Sequence, residues 1–268
     1  FITLAPVAPE AFDENGVFNL AELTLTNPFA SLFEPKYRSK TENFITNLNL
    51  GYEIIPNLEF KANIGYNSIF LDETTTLPTS SRPPEIDLPA EAVFGNAFTK
   101  TINIEHQIEY QDDLLGGRIN VFLGATFQST NQESQTIFAS GFPSDNLIEN
   151  IAAANDVEVS NYNETEYRYN AVFGRINYSF DNRYFLNLTA RRDGSSRFGP
   201  GKRFANFGAV GASWIFTEEG FLKASKLLSF GKLRGSFGTT GSDQIGDYQF
   251  LDTFNKTRFP YSGITGLI

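Results

Sequence analysis

Apolar and polar residues alternate with a period of two in eight separate stretches of this chain, and no other feature constrains its fold as tightly. The cleanest stretch is residues 58–70. Leu58, Phe60, Ala62, Ile64, Tyr66 and Phe70 fall on one side, with Glu59, Lys61, Asn63, Gly65 and Asn67 on the other. Residues 44–54 repeat the pattern with Phe44, Leu48, Leu50, Tyr52 and Ile54. Further along come Ile102, Ile104, Ile108 and Tyr110, then Ile119, Val121, Leu123, Ala125 and Phe127. Val172, Ile176, Tyr178 and Phe180 make the fifth face; Tyr184, Leu186, Leu188 and Ala190 make the sixth. Phe204, Val210, Ala212, Trp214 and Phe216 form the seventh, and Leu233, Gly235 and Phe237 a weaker eighth. A helix repeats every 3.6 residues, so this spacing demands strands with two unlike faces.

The expected strands are roughly 10 to 15 residues long, against about 5–6 in soluble sheets and about 9–11 for a tilted strand crossing a bilayer. Short links with turn chemistry follow at Pro56-Asn57, Asp112–Gly117 and Asp181-Asn182. Residues 217–226 read as one helical turn with Glu218 and Glu219 near its start. Long loops are expected at about 72–97 and 130–164, with a medium link at 193–202. Short turns at one end and long loops at the other is how an outer-membrane barrel is arranged. Aromatics gather at the strand ends while Ile, Leu, Val and Ala fill the middles. Tyr52, Tyr110, Tyr178, Tyr184, Trp214 and Phe216 are therefore expected at a membrane interface, where half-wet rings settle. A sandwich core is also aromatic, so this signal alone leaves that alternative open.

Composition narrows the chemistry. A formal charge of −10 argues against nucleic acid, which is held by clustered Lys and Arg. With no Cys there is no thiolate site or disulfide, and the lone His106 on an apolar face makes a poor metal ligand. The adjacent pairs Asp112-Asp113 and Glu218-Glu219 point apart on an extended chain, unlike the spaced carboxylates of a glycosidase. No phosphate-binding glycine loop is present, and no cofactor, catalytic residue or metal site is expected. Gly231, Gly235, Gly238 and Gly241 recur in a strand setting, where glycine marks close packing or bending.

One run is more specific. Arg191-Arg192-Asp193-Gly194-Ser195-Ser196-Arg197-Phe198-Gly199 precedes Arg203-Phe204-Ala205-Asn206-Phe207 and Ala209-Val210-Gly211-Ala212-Ser213-Trp214. Leu233-Arg234-Gly235-Ser236-Phe237-Gly238-Thr239-Thr240-Gly241 comes later. With Thr41-Glu42-Asn43-Phe44 and Phe60–Tyr66 upstream, these resemble the barrel of SusC/RagA-type TonB-dependent outer-membrane proteins of Bacteroidota over about residues 38–250. The resemblance implies an all-β, antiparallel, up-and-down transmembrane barrel segment of about eight strands, part of a barrel of roughly twenty-two. It implies outer-membrane localisation, a SusD-like lipoprotein partner, energy from TonB, and glycans or peptides as cargo. The plug, the TonB-contacting segment and the closing C-terminal strands are not recognisable, so a partial chain is expected, with residues 1–37 as a long extracellular loop.

Within that frame, Asp193, Ser195, Ser196 and Arg197 have two open roles. They could meet cargo or partner at the barrel mouth, since such groups bond sugar hydroxyls and Arg197 could clamp a carboxylate. They could instead form a hairpin loop turned by Asp193-Gly194. Arg175, Arg191, Glu105 and Glu109 are candidates for lumen or plug contacts on the polar face. Ser144-Asp145 before Leu147, Ile148, Ile151 and Ala152 reads as a capped short helix. The competing readings are a soluble β-rich surface or adhesion domain, whose apolar faces would pack on a second sheet, and a carbohydrate-active enzyme.

Overall fold

A computed structural model describes residues 10–16, 19, 32, 34–82, 88–222 and 228–251. Eight strands appear, each on an expected stretch: β1 (Lys36–Ile55), β2 (Leu58–Leu77), β3 (Ala90–Leu114), β4 (Gly117–Phe142), β5 (Asp156–Phe180), β6 (Tyr184–Ser195), β7 (Phe204–Trp214) and β8 (Leu233–Gly238). They form one sheet in sequence order, the up-and-down antiparallel arrangement of a barrel segment. Tight turns join them at one end. Asn57 takes φ 71°, Leu115-Gly116 take 51° and 76°, and Asp181-Asn182 both take 52°, the left-handed conformations that reverse a hairpin.

Several expectations are corrected. The first five strands are 20–26 residues long, so most of the expected loops 72–97 and 130–164 is strand. Asp193-Gly194 does not turn the chain: both lie in β6, opposite Ala205 and Phe204. The reversal comes after Ser195, where Ser195 N–H donates to the Arg203 carbonyl at 2.9 Å. Phe216 lies in a 3₁₀ turn (Phe216–Glu218) rather than on β7. The helix after Ser144 is two 3₁₀ turns, Asp145–Leu147 and Ile151–Ala153, capped by the side chains of Ser144 and Asn150. Of the expected loop 1–37, most residues lie outside the described ones, as do 223–226 of the link before β8.

The chain divides into two compact units. One comprises Phe1–Phe44, Asn67–Lys100 and Asn131–Thr165. Its small core is Ala90, Ala92, Ala139, Phe142 and Ile148, with Phe94, Ile151, Ala153 and Ala154 packed around it. Asp145 ties its loops together, accepting from Thr79 N–H and Oγ1 at 2.9 Å each and from Ser80 N–H at 3.3 Å. Burial pushes the Asp145 carboxyl up, but these donors outweigh it and hold the group below the usual carboxylate range. Arg82 bonds Glu91 at 2.7 Å and the Pro89 carbonyl at 2.9 Å.

The other unit comprises Ile45–Tyr66, Thr101–Thr130 and Glu166–Ile268. Its register shows two unlike faces. Ile176 opposes Leu188, which opposes Val210, which opposes Phe237. The neighbouring rung on the other face runs Arg175, Thr189, Ala209. The apolar face is not covered: Ile64, Leu123, Leu188 and Val210 are 38%, 56%, 40% and 44% exposed. A sandwich would have buried these residues against a second layer. Glycine permits close packing on both faces. A Cβ on Gly174 would meet Leu123 at 2.9 Å on the apolar side, and one on Gly124 would meet the Phe173 ring at 2.6 Å on the polar side.

Candidate functional site

Tyr184 and Trp214 are paired at the turn end of β6 and β7, and both donate to the Glu219 carboxylate, Trp214 at 3.0 Å. These bonds hold Glu219 below its ordinary range, aided by Arg183, whose Nη1 is 2.9 Å from Glu219. Trp214 also meets Phe216 edge to face at 5.9 Å. Tyr178 donates towards the Leu114 and Leu115 carbonyls at 3.2 Å, and Tyr110 donates to Asp112 at 2.6 Å. Tyr52 is exposed on β1. Apart from Tyr52 and Phe216, each of these expected interface aromatics thus sits on the apolar face of its strand and ties its polar tip to the turns.

At the other end of the apolar face the Phe204 ring covers Gly194, and the Arg192 guanidinium lies over that ring at 5.2 Å. From Tyr184 to Gly194, β6 advances about 33 Å at ~3.3 Å per residue, or about 25 Å in height at a tilt of roughly 40°. That is the height of the apolar band of an outer-membrane barrel.

On the polar face, around the Gly194 end of this stretch, lies a cavity of about 510 Å³. β4 supplies Gln128, β5 supplies Tyr167 and Tyr169, β6 supplies Asp193 and Ser195, and β7 supplies Ala205 and Phe207. Gly241, Ser242, Asp243 and Gln244 close it from the segment after β8. Strand alternation explains the grouping: Tyr167, Tyr169, Ala171 and Phe173 fall on one face of β5, and Tyr169 pairs with Ser195 of β6. The Arg191 guanidinium lies over Phe173 at 5.0 Å and bonds Tyr169 and Asp193. Tyr167 donates to Asp243 at 2.6 Å. Burial, then the Asp243 carboxylate, pushes the Tyr167 phenol up. Burial also acts to raise Asp243, but the Tyr167 and Ser195 hydroxyls and the Arg197 charge hold its carboxyl low.

The sequence-derived candidates thus separate. Asp193 and Ser195 line this cavity, and Arg191 bonds Asp193 and Tyr169 of its lining. Ser196 exchanges bonds with the Arg168 backbone at 2.9 Å, its hydroxyl accepting from Arg168 N–H and its N–H donating to the Arg168 carbonyl. Arg197 reaches Asp247 at 2.8 Å and the Asp243 carbonyl at 3.1 Å. Arg175 lies over Phe122 at 5.4 Å. Glu105 accepts from Gln107, and Glu109 accepts from Asn120 at 2.7 Å and from Lys61 at 3.4 Å. Glu109 lines a separate hollow of about 650 Å³ near the turns, with Glu53, Glu59 and Asp112. Tyr167, Tyr169, Phe207, Asp243 and Asp247 escape a reading centred on apolar faces. The alternation of tyrosines at 167 and 169 is the one local signal for them. Among the described residues no group of three or more His, Asp or Glu could hold a metal ion.

Comparison with known proteins agrees with this architecture. Residues 8–263 match the family described as TonB dependent receptor-like, beta-barrel. TonB-dependent receptor P3 of Formosa agariphila is 29% identical over 250 residues, covering 91% of this chain and 25% of that protein. TonB-dependent receptor SusC of Bacteroides thetaiotaomicron is 27% identical over 262 residues, covering 87% of this chain and 24% of that protein. The structure of the RagAB peptide transporter matches the fold with a TM-score of 0.78 at 23% identity, covering 96% of this chain and 29% of that one. The chain spans about a quarter of the length of these curated relatives. It belongs to the TonB-dependent receptor-like β-barrel family, is similar in sequence to SusC and shares the fold of the matching part of RagAB.

Proposed function

We propose that this chain forms part of the wall of a TonB-dependent transporter in the bacterial outer membrane, importing glycans or peptides. The observation that carries the reading is the pair of unlike faces on β5–β8. One is apolar, exposed and bounded by aromatics over the height of a bilayer's hydrocarbon. The other carries Arg175, Asn177, Asn187, Thr189 and Arg191. The apolar face meets lipid and the polar face lines the wet interior. Cargo meets the inner-face cavity, where Tyr167, Tyr169 and Phe207 offer rings and Asp193, Gln128 and Gln244 offer hydrogen-bonding groups to a hydroxyl- or amide-rich oligomer. The long loop ends of β1–β5 are the surface for a SusD-like lipoprotein. TonB acts on a plug, for which the wall is the rigid sleeve.

Single-cysteine labelling of the intact protein on cells tests this. A small, charged, membrane-impermeant thiol reagent should modify Thr189→Cys and spare Leu188→Cys. Equal modification of both would reject a lipid-facing wall. Growth of wild-type and deletion strains on a panel of glycans and peptides should then identify the cargo.

A further inference from the structure

β8 ends at Gly238, and Thr239 N–H makes one more backbone rung to the Gly208 carbonyl at 2.9 Å. Beyond it, over the described residues 240–251, no backbone–backbone hydrogen bond joins the chain to the strands; the two that remain, from Ile245 to Asp243 and from Leu251 to Tyr248, are internal to the segment. Side chains hold it instead. Tyr167 donates to Asp243, and Tyr248 Oη accepts from Glu166 N–H at 3.0 Å. Arg197 binds twice, to the Asp247 carboxylate and the Asp243 carbonyl, and its guanidinium stacks over Tyr167 at 4.3 Å. Two aromatic contacts seat the segment: Phe207 against Gly241 and Phe250 against Gly199. This same segment supplies Gly241 to Gln244 of the cavity lining.

We propose that residues 239–251 are a strap that gates the inner-face cavity, with Arg197 as its latch. The proposal deepens the transport reading and rests on the cavity being where cargo is met. A segment fixed by a few side-chain bonds opens at a lower free energy than a strand fixed along its whole ladder. Arg197 reaches two points of the strap from one side chain, so losing it removes both of these bonds at once and leaves Tyr167 holding Asp243. Asp193 and Ser195 belong to the fixed wall, while Asp243 and Gln244 leave with the strap. Opening therefore dismantles the site as well as uncovering it, which couples cargo release to strap movement.

Ser195 is 5% exposed and lines the cavity with Asp243 of the strap, so its replacement reports on the strap. In the intact protein on cells, Ser195→Cys should react slowly with the impermeant thiol reagent. Adding Arg197→Ala or Asp247→Asn should raise that rate about tenfold, as expected for loss of a charge-assisted bond. Labelling of Thr189→Cys in the same backgrounds should not change, which separates strap release from a misfolded wall. The reciprocal variant locks the strap. A Cβ on Gly199 lies 3.4 Å from that of Phe250, close to disulfide spacing, so Gly199→Cys/Phe250→Cys should cross-link. With the bond closed, import of whichever panel member the wild type takes up should stop, and a reductant should restore it. Equal Ser195→Cys labelling in all backgrounds, or full import through the cross-linked protein, overturns the gate. Should the wild type import no panel member, the transport reading fails on its own, and the labelling rates still decide whether the strap opens.

Discussion

The two units of this chain differ sharply in charge. Phe1–Phe44, Asn67–Lys100 and Asn131–Thr165 together carry 17 Asp and Glu against 5 Lys and Arg, a net −12. The remaining residues carry 14 against 16, a net +2. The first unit contains the loop ends of β1–β5, and the stretch from Asp156 to Asn163 is exposed throughout. Outside the small core, strands exposed like this stretch gain little from an apolar stripe, and charge keeps their surfaces solvated and their edges from pairing with other chains. The second unit has one apolar face, where an unpaired charge is costly. Most of its charges gather on the polar face, over rings at Phe122, Phe173 and Tyr167, and in the turns, while Arg192 lies over Phe204 at the end of the apolar face. The acidity of the whole protein is thus a property of one half of the strands.

The largest test of that contrast puts the same charge in each place. Val210→Arg, on the apolar face, should cost about 2–4 kcal/mol in folding into lipid vesicles. Val159→Arg, on an exposed stretch of β5 in the acidic unit, should stay within about 0.5 kcal/mol. Comparable losses would mean that the two surfaces share one environment. A smaller effect is expected where a carboxylate is structural. Asp145→Ala removes the acceptor for three donors from Thr79 and Ser80 and should cost about 2 kcal/mol locally. Hydrogen exchange in residues 78–82 and 144–154 would register it. Acid should mimic the mutation. The folded Asp145 carboxyl lies below its ordinary value, so its contribution is complete above about pH 4 and fades as pH falls towards the lowered value. Protection that persists unchanged to pH 3 would remove Asp145 as the tie. Least of all should follow from Arg38→Ala. Its 3.0 Å pair with Glu149 is exposed on both sides, and its loss should shift stability by under about 0.5 kcal/mol. A larger shift would show that exposed ion pairs carry the acidic unit after all.

The eight strands and their order of alternation were legible because each sets an apolar face against a polar one at every step. Leu188 and Val210 must point one way and Thr189 the other, and that choice is written locally, two residues apart. Turn positions were legible for a similar reason: Asn57 and Asp181-Asn182 accept left-handed backbone at little cost. Strand ends were not. In 130–142 and 156–164 the alternation of apolar and polar residues fades, so these stretches look like loop although hydrogen bonding carries the ladder through them. For the same reason Asp193-Gly194 passes for a turn, while pairing with Ala205 and Phe204 makes it strand.

The sequence by itself determined the class of fold, the polarity of its faces and the family, because a period of two and the DGSSRFG run are properties of neighbouring residues. Only the tertiary structure decided the cavity. Tyr167, Ser195, Arg197 and Asp243 stand up to 76 positions apart and carry no shared local pattern. Strand register sets Tyr169 beside Ser195, and the fold-back of residues 239–251 carries Asp243 and Asp247 to Arg197. Contacts between distant residues depend on how the sheet is assembled, which no window of neighbouring side chains encodes.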